Sequence, residues 1–137
     1  MIRSTQGLIA LSVLATFLTA GMAAAADGDV TRGKKVFNKC RACHATVANV
    51  KRVGPSLFGV VGRKCGTAAN VRYSKGYKAA CQKLGFTWDD ARIDEYVTDP
   101  SKYISELAGK RYTSPMRIKL KKAQDRADVI AYLNTLR

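Results

Sequence analysis

Five consecutive residues, Cys40-Arg41-Ala42-Cys43-His44, constrain this chain more than any other feature of its sequence. The C-x-x-C-H spacing is a signal for covalent haem attachment. Each thiol adds across one haem vinyl group, and the adjacent histidine is held directly beneath the iron. Such a tether keeps a haem in place even in a domain that is too small to bury it completely.

Three other interpretations of the cysteines fit less well. A thioredoxin-like redox pair needs a βαβ context, which the sequence lacks. A zinc site that recruits Cys65 and Cys81 would lack tight ligand spacing in its second pair. Two ordinary disulfides are also possible, but cysteines as close in sequence as Cys40 and Cys43 suit a long-range framework poorly.

The first 26 residues have the pattern of a cleaved signal peptide. Arg3 supplies a positive start, residues 7–20 are apolar except for one serine and two threonines, and Ala23-Ala24-Ala25-Ala26 offers small residues for a signal peptidase. An uncleaved anchor is the alternative, but a spanning helix needs ~20 continuous apolar residues. We expect cleavage after Ala26, location in the periplasm and one domain over residues 27–137. No later segment is apolar enough for stable membrane insertion.

The sequence offers few candidates for the second axial ligand of the iron. His44 is the only histidine, so a second histidine from the same chain is excluded. Met1 and Met22 would leave with the signal peptide, which makes Met116 the one remaining thioether. A lone methionine often fills a core gap, but Met116 lies in a polar stretch, residues 113–117. We expect His44 and Met116 to be the axial ligands; a lysine ligand or an open iron are the alternatives.

Three segments predict an all-α domain. Residues 29–39 are predicted to form a helix that Asp29 caps. Thr87-Trp88-Asp89-Asp90 is a capping-box-like start for a second helix, which ends at Asp99-Pro100. Residues 122–136 carry an apolar stripe typical of an amphipathic helix. No run alternates well enough to predict a strand.

Several motifs occur in an order typical of one family. They are Gly33-Lys34-Lys35-Val36-Phe37 before the haem motif, then Gly54-Pro55-Ser56-Leu57, Gly62-Arg63-Lys64, Tyr73-Ser74, Phe86-Thr87-Trp88, Glu95-Tyr96, Asp99-Pro100 and the ending at residues 125–133. From Asp27 to Arg137 the chain resembles a class I cytochrome c, nearest the bacterial cytochrome c2 and mitochondrial cytochrome c group. The resemblance implies the all-α cytochrome c fold, with three main helices and loops wrapped around one covalently bound haem c.

The resemblance also implies how polar groups would hold the haem. The Pro55 carbonyl would accept the other ring N–H of His44 and so fix the imidazole. Arg63, Tyr73 and Trp88 would hydrogen-bond a haem propionate. Plain core packing is the alternative for the aromatic residues.

Two further contacts follow from the same resemblance. The Tyr96 hydroxyl would face the Met116 sulfur. Gly33 and Phe37 would pack against Tyr132 and Leu133 where the terminal helices cross, because the glycine permits a close approach.

Residues 73–88 span a longer stretch than in compact family members, and residues 105–112 look inserted. Cys65 and Cys81 bracket much of the first stretch. In an exported chain we expect them to pair, which would gain roughly 3 kcal/mol from loop closure and pin the loop over the propionates. Two buried free thiols are the alternative.

Two axial ligands leave no place at the iron for a substrate, so we expect an electron carrier and not an enzyme. The expected donor is a cytochrome bc1 complex or a periplasmic dehydrogenase, and the acceptor is an oxidase or a photosynthetic reaction centre. The alternative is a haem peroxidase or gas-binding protein with an open or labile sixth site, which the long stretch before Met116 favours.

The formal net charge of +14 predicts partners with acidic faces. Export argues against nucleic acid, and the cations are scattered instead of gathered in one tract. We expect a monomer that meets acidic faces of redox proteins in brief, salt-sensitive encounters, although many of these charges could be a solvated surface. The candidate cations near a haem edge are Lys39, Arg41, Lys51, Arg52, Lys102, Lys110, Arg111, Lys119, Lys121 and Lys122.

Overall fold

The computed structural model describes residues 27–137, and the predicted signal peptide lies outside the described residues. Within 27–137 the chain forms five α-helices and one short 3₁₀ helix. They are α1 Val30–Val36 with the 3₁₀ helix Phe37–Lys39 directly after it, α2 Lys75–Leu84, α3 Asp90–Thr98, α4 Pro100–Ala108 and α5 Ala123–Asn134. This part of the chain has no strand, only an isolated bridge between Lys64 and Thr87. The predicted all-α class is confirmed.

The first and last helices cross at close range. At the crossing Gly33 lies so near α5 that a Cβ atom at this position would overlap the Asp128 carbonyl group. The rings of Phe37 and Tyr132 pack beside it with their centroids 5.4 Å apart. The predicted contact between the terminal helices is therefore present, and we call it the terminal-helix crossing (residues 30–37 and 123–134).

A buried carboxylate ties the start of α1 to α5. The Asp128 side chain accepts hydrogen bonds from the Asp29 N–H at 2.8 Å, from Arg32 Nε and Nη2 at 2.8 and 2.9 Å, and from Gln124 Nε2 at 2.9 Å. These donors hold the pKa of Asp128 well below its ordinary value, and the Arg32 guanidinium has the largest effect. Asp29 also caps α1, since its side chain accepts the Arg32 N–H at 2.6 Å.

Helices α3 and α4 meet at Asp99. The Asp89 side chain caps α3 by accepting the Arg92 N–H at 2.8 Å, and α3 ends just before Asp99-Pro100, as predicted. The chain then begins α4 at once. Pro100 takes the first helical position, where no N–H is needed, and the Asp99 side chain accepts the Lys102 N–H at 3.2 Å.

Helix α2 occupies the first of the two long stretches. The Ser74 side chain caps it by accepting the Tyr77 N–H at 3.3 Å, and Gly85 ends it with a φ of 55°. Helix α2 packs against α4. The three predicted helices are α1, α3 and α5, and the pair α2 and α4, which we call the α2–α4 layer, completes the domain.

The core lies between the terminal-helix crossing and the α2–α4 layer. It is made mainly of aromatic and aliphatic side chains that are nearly inaccessible to solvent. The largest of them are Phe37, Phe86, Trp88, Ile93, Tyr103, Ile104, Leu120, Val129, Ile130 and Leu133.

Candidate functional site

A cavity of about 430 Å³ opens into this core. Its volume falls in the range of small-molecule and cofactor sites. Cys40, Cys43 and His44 line it, and so does Met116 from the loop between α4 and α5. Its apolar walls are Leu57, Val60, Ile93, Val97, Ile104, Leu120, Val129 and Leu133.

The haem motif follows the 3₁₀ helix in a continuous set of turns. The Cys40 N–H donates to the Phe37 carbonyl at 2.8 Å, and the N–H groups of Cys43 and His44 both donate to the Cys40 carbonyl at 3.0 Å. Neither cysteine is in a disulfide; Cys40 is partly buried and Cys43 is exposed. Burial raises the pKa of the Cys40 thiol. The turns therefore hold two cysteine side chains and one imidazole against the same cavity.

The His44 ring is fixed by the loop that follows the motif. Nδ1 lies 2.7 Å from the Pro55 carbonyl oxygen, the contact that the sequence predicts. A carbonyl can only accept, so Nδ1 carries the proton and Nε2 keeps a free lone pair. Burial lowers the pKa of His44, with the Pro55 carbonyl opposing this effect. Gly54 leaves room for the ring, because a Cβ atom there would lie 2.9 Å from Nδ1.

Met116 reaches the cavity from a loop that hydrogen bonds hold in place. The Met116 N–H donates to Ser114 Oγ at 3.2 Å, and the Ser114 N–H donates to Ser101 Oγ of α4 at 3.0 Å. The Met116 side chain is half-buried. A thioether and an imidazole thus line one cavity although His44 and Met116 are 72 positions apart in the sequence.

Comparison with known proteins identifies the family. The Cytochrome c family model matches residues 30–137. The chain belongs to the cytochrome c family. It is 43% identical over 112 residues to cytochrome c-550 of Novispirillum itersonii, covering 80% of this chain and 100% of that protein. It is 38% identical over 134 residues to cytochrome c2 of Rhodospirillum rubrum, covering 96% and 98%.

Solved structures agree with this assignment. The crystal structure of cytochrome c2 from Rhodobacter sphaeroides superposes with a TM-score of 0.73 at 38% identity, covering 80% of this chain and 97% of that one. The protein is thus a class I c-type cytochrome of the cytochrome c2 group. It is an electron carrier and not an enzyme, and its cofactor is one covalently attached haem c.

The residues around the cavity fit a haem. Two thiols with the attachment spacing lie beside an imidazole whose Nε2 is available to a metal, and a thioether lines the same cavity. The rest of the lining combines apolar side chains and aromatic residues with polar tips, together with several cations and small polar residues. One cavity of this cytochrome therefore holds donors of the types that can attach and ligate a haem.

An aromatic wall closes one part of the haem cavity. Tyr73 and Tyr77 stack with centroids 4.8 Å apart, and Trp88 meets Tyr96 edge to face at 5.2 Å. All four residues line the cavity. Burial raises the pKa of Tyr77 and of Tyr96, so both hydroxyls stay protonated and able to donate at neutral pH. The sequence analysis named Tyr73, Trp88 and Tyr96 but missed Tyr77, whose signal was its position one turn after Tyr73.

The three residues expected near a propionate all line the cavity, but two already have partners. Arg63 donates to the carbonyl oxygens of Ser56, at 2.9 Å, and Phe58. Burial lowers the pKa of Arg63. The Tyr73 hydroxyl accepts the Ala68 N–H at 3.1 Å and can still donate its own proton. A guanidinium has five N–H groups, so Arg63 also retains donors for a further acceptor.

The Tyr96 hydroxyl lies near the Met116 loop. The Ser114 side chain, two residues before Met116, lies close enough to this hydroxyl to oppose the rise in the pKa of Tyr96 that burial causes. The sequence analysis expected the hydroxyl to face the Met116 sulfur and did not single out Ser114. Tyr96 thus contacts the loop that carries Met116, and the polar run around Met116 was the available signal for Ser114.

Cys65 and Cys81 are joined in a disulfide, as expected. It links the loop after Arg63 to α2, and both cysteines are buried, with 6% and 7% of their surface exposed. Because α2 carries Tyr77, the disulfide fixes the helix that supplies part of the aromatic wall.

Cations and exposed apolar side chains are among the residues that line the cavity. Val53 lines it and is 83% exposed. Of the cations suggested by the sequence, Lys39 lines the cavity but also bonds Asp125 at 2.9 Å. Lys119 is paired with Asp99 at 2.6 Å. The other cations that line the cavity are Arg63, Lys64, Arg72 and Arg117.

Proposed function

We propose that this cytochrome is a periplasmic one-electron carrier whose iron is ligated by His44 and Met116. The observation that carries this proposal is that both side chains line one cavity. Haem bound there supplies a one-electron ferric–ferrous couple, whose potential a thioether ligand raises. The Pro55 carbonyl keeps the His44 ring in the tautomer that presents Nε2.

The cysteines would fix the cofactor and the polar aromatic residues would orient it. Cys40 and Cys43 are proposed to form the two thioether links. Arg63, Tyr73 and Trp88 are proposed to hydrogen-bond a propionate through the donors that face the cavity. A fixed shell of this kind suits electron transfer because little must move when the charge changes.

The opening of the cavity is proposed to be the docking surface. Lys64, Arg72 and Arg117 line it beside the exposed Val53. Cations around a small apolar centre match an acidic protein face, and such encounters are fast and salt-sensitive. The partners proposed are a cytochrome bc1 complex or a periplasmic dehydrogenase as donor, and an oxidase or a photosynthetic reaction centre as acceptor. The protein would act as a monomer.

Residues 1–26 are proposed to be a signal peptide that is removed after export, which leaves residues 27–137 as the cytochrome domain. Among the described residues, no helix is long and apolar enough to cross a membrane. The mass of the protein recovered from the periplasm tests the cleavage point. A chain that keeps residues 1–26 would contradict it.

The ligation is tested by the absorption spectrum of the ferric protein, which has a weak band at the red end when methionine ligates the iron. The band should be present and should vanish in Met116→Ala. Lys121→Ala, a change at an exposed position of the same loop that does not line the cavity, should keep the band. If the native protein lacks the band and binds CO readily at neutral pH, the iron is open and a peroxidase or gas-binding function replaces the electron carrier.

A further inference from the structure

We propose that Tyr112 is a positioning residue for Met116: its ring rests on α2 and sets the loop that presents Met116 to the cavity. This inference rests on the proposed function, in which Met116 is an axial ligand. Four contacts carry it: the Tyr112 ring against α2, two sets of backbone hydrogen bonds to α4, and the disulfide that holds α2.

The first contact is between the Tyr112 ring and Gly76 of α2. The ring lies so close to the helix that a Cβ atom at position 76 would overlap its Cγ and Cδ1 atoms. Gly76 is buried and is the second residue of α2. A glycine in a helix costs about 1 kcal/mol relative to alanine, so this one is explained by the ring that it accommodates.

The second and third contacts hold the backbone on both sides of the ring. Ser105 Oγ of α4 accepts the Tyr112 N–H at 2.9 Å and lies 3.1 Å from the Tyr112 carbonyl oxygen. Two residues on, the Ser114 N–H donates to Ser101 Oγ at 3.0 Å. The ring therefore contacts α2 while the backbone beside it is bonded to α4, and Met116 follows directly.

The fourth contact fixes the surface on which the ring rests. The Cys65–Cys81 disulfide joins α2 to the loop that follows Arg63. Helix α2 thus cannot move away from the cavity as an independent unit. The ring, held between a clamped helix and a bonded backbone, restricts the positions that the Met116 loop can reach.

Loss of this restriction should raise the fraction of molecules in which Met116 has left the iron. An added ligand binds only that fraction, so its apparent affinity reports the population. Imidazole, titrated into the ferric haem-loaded protein and followed by the red absorption band, is the probe. We expect Tyr112→Ala and Gly76→Ala to tighten apparent imidazole binding by about tenfold.

Two matched variants separate positioning from general stability. Tyr112→Phe keeps the ring and should bind imidazole as the native protein does. Tyr132→Ala removes a comparable ring at the terminal-helix crossing; it should lower the unfolding midpoint without changing imidazole binding. Native imidazole affinity in Tyr112→Ala would overturn the proposal, as would equal tightening in Tyr112→Ala and Tyr132→Ala. If Gly76→Ala does not fold, Tyr112→Ala alone decides.

Failure of the proposed function has a different signature. If Met116→Ala keeps the red band and the native affinity for imidazole, Met116 is not the ligand and the positioning role is lost with it. If Met116→Ala loses the band but Tyr112→Ala behaves as the native protein, the ligation stands and only the role of Tyr112 is wrong.

Discussion

The terminal-helix crossing and the α2–α4 layer both border the haem cavity, but different interactions hold them. The crossing depends on a close approach of two backbones at Gly33 and on the buried carboxylate of Asp128. The α2–α4 layer depends on a disulfide, on the Gly76–Tyr112 contact and on serine hydroxyls bonded to a loop. The first region joins the two ends of the chain and supports the core. The second holds the loop that carries Met116, so changes there should affect ligation as well as folding.

The largest expected effect is at the crossing. Gly33→Val would place a branched side chain against the backbone of α5 and force the two helices apart. We expect a loss of more than about 3 kcal/mol in the free energy of unfolding of the haem-loaded protein, measured by denaturant titration. Thr31→Val, an exposed change on the same helix, should alter that free energy little. Equal losses in both variants would show that the close approach of the two helices at Gly33 is not the cause.

The next effect belongs to the α2–α4 layer. Removing the disulfide in Cys65→Ala/Cys81→Ala releases a loop of 16 residues and should lower the free energy of unfolding by about 3 kcal/mol. The same denaturant titration measures it. Adding a reductant should destabilise the native protein toward the variant and leave the variant unchanged. A variant as stable as the native protein would mean that packing alone holds α2.

The third prediction concerns the pH dependence of stability at the terminal-helix crossing. The folded-state pKa of Asp128 is depressed, chiefly by Arg32, so its contribution to stability is present above the unfolded pKa. It is lost as the pH falls from about 4 toward the folded-state value. Asp128→Asn should therefore be less stable than the native protein at neutral pH and should lose less stability over this acidic range. Unfolding curves recorded at several pH values would contradict this if the two proteins lost stability in parallel.

The smallest expected effect comes from removing a single hydroxyl group in the α2–α4 layer. Ser105→Ala leaves the Tyr112 N–H without its acceptor and should cost about 1 kcal/mol of unfolding free energy. Glu106→Ala, at the next and exposed position of α4, should cost less than about 0.5 kcal/mol. If the two variants lost equal amounts of unfolding free energy, the Tyr112 N–H would be bonded to water and not to the Ser105 hydroxyl.

The regions also differ in how much of them the sequence predicts. The helices of the crossing have a capping aspartate, an apolar stripe and a glycine at the point of contact, all of which are visible as local patterns. The haem motif and the single methionine of residues 27–137 likewise predict which side chains line the cavity. These features are predictable because spacing along the chain and residue type determine them.

The α2–α4 layer was predicted poorly for a physical reason. Pro100 was interpreted only as the end of a helix, although proline suits a first helical position equally well. The fully buried residues of helix α2 are small ones, Gly76, Ala80 and Cys81, so its inner face lacks the large apolar side chains that mark a core-facing helix in a sequence. Its partners, the Tyr112 ring and the disulfide, come from distant positions. Contacts of this kind follow from the folded arrangement and leave no local pattern.

The bond between the Asp29 N–H and Asp128 joins residues that are 99 positions apart in the sequence. Closing so long a loop costs chain entropy before any contact at the crossing can form, and non-local contacts of this kind slow folding. During synthesis α1 leaves the ribosome long before α5 exists, so it must wait unpaired for its partner. The crossing therefore makes completion of the fold depend on the last helix to be made, and a chain truncated at the start of α5 would lack Val129, Ile130 and Leu133 from its core.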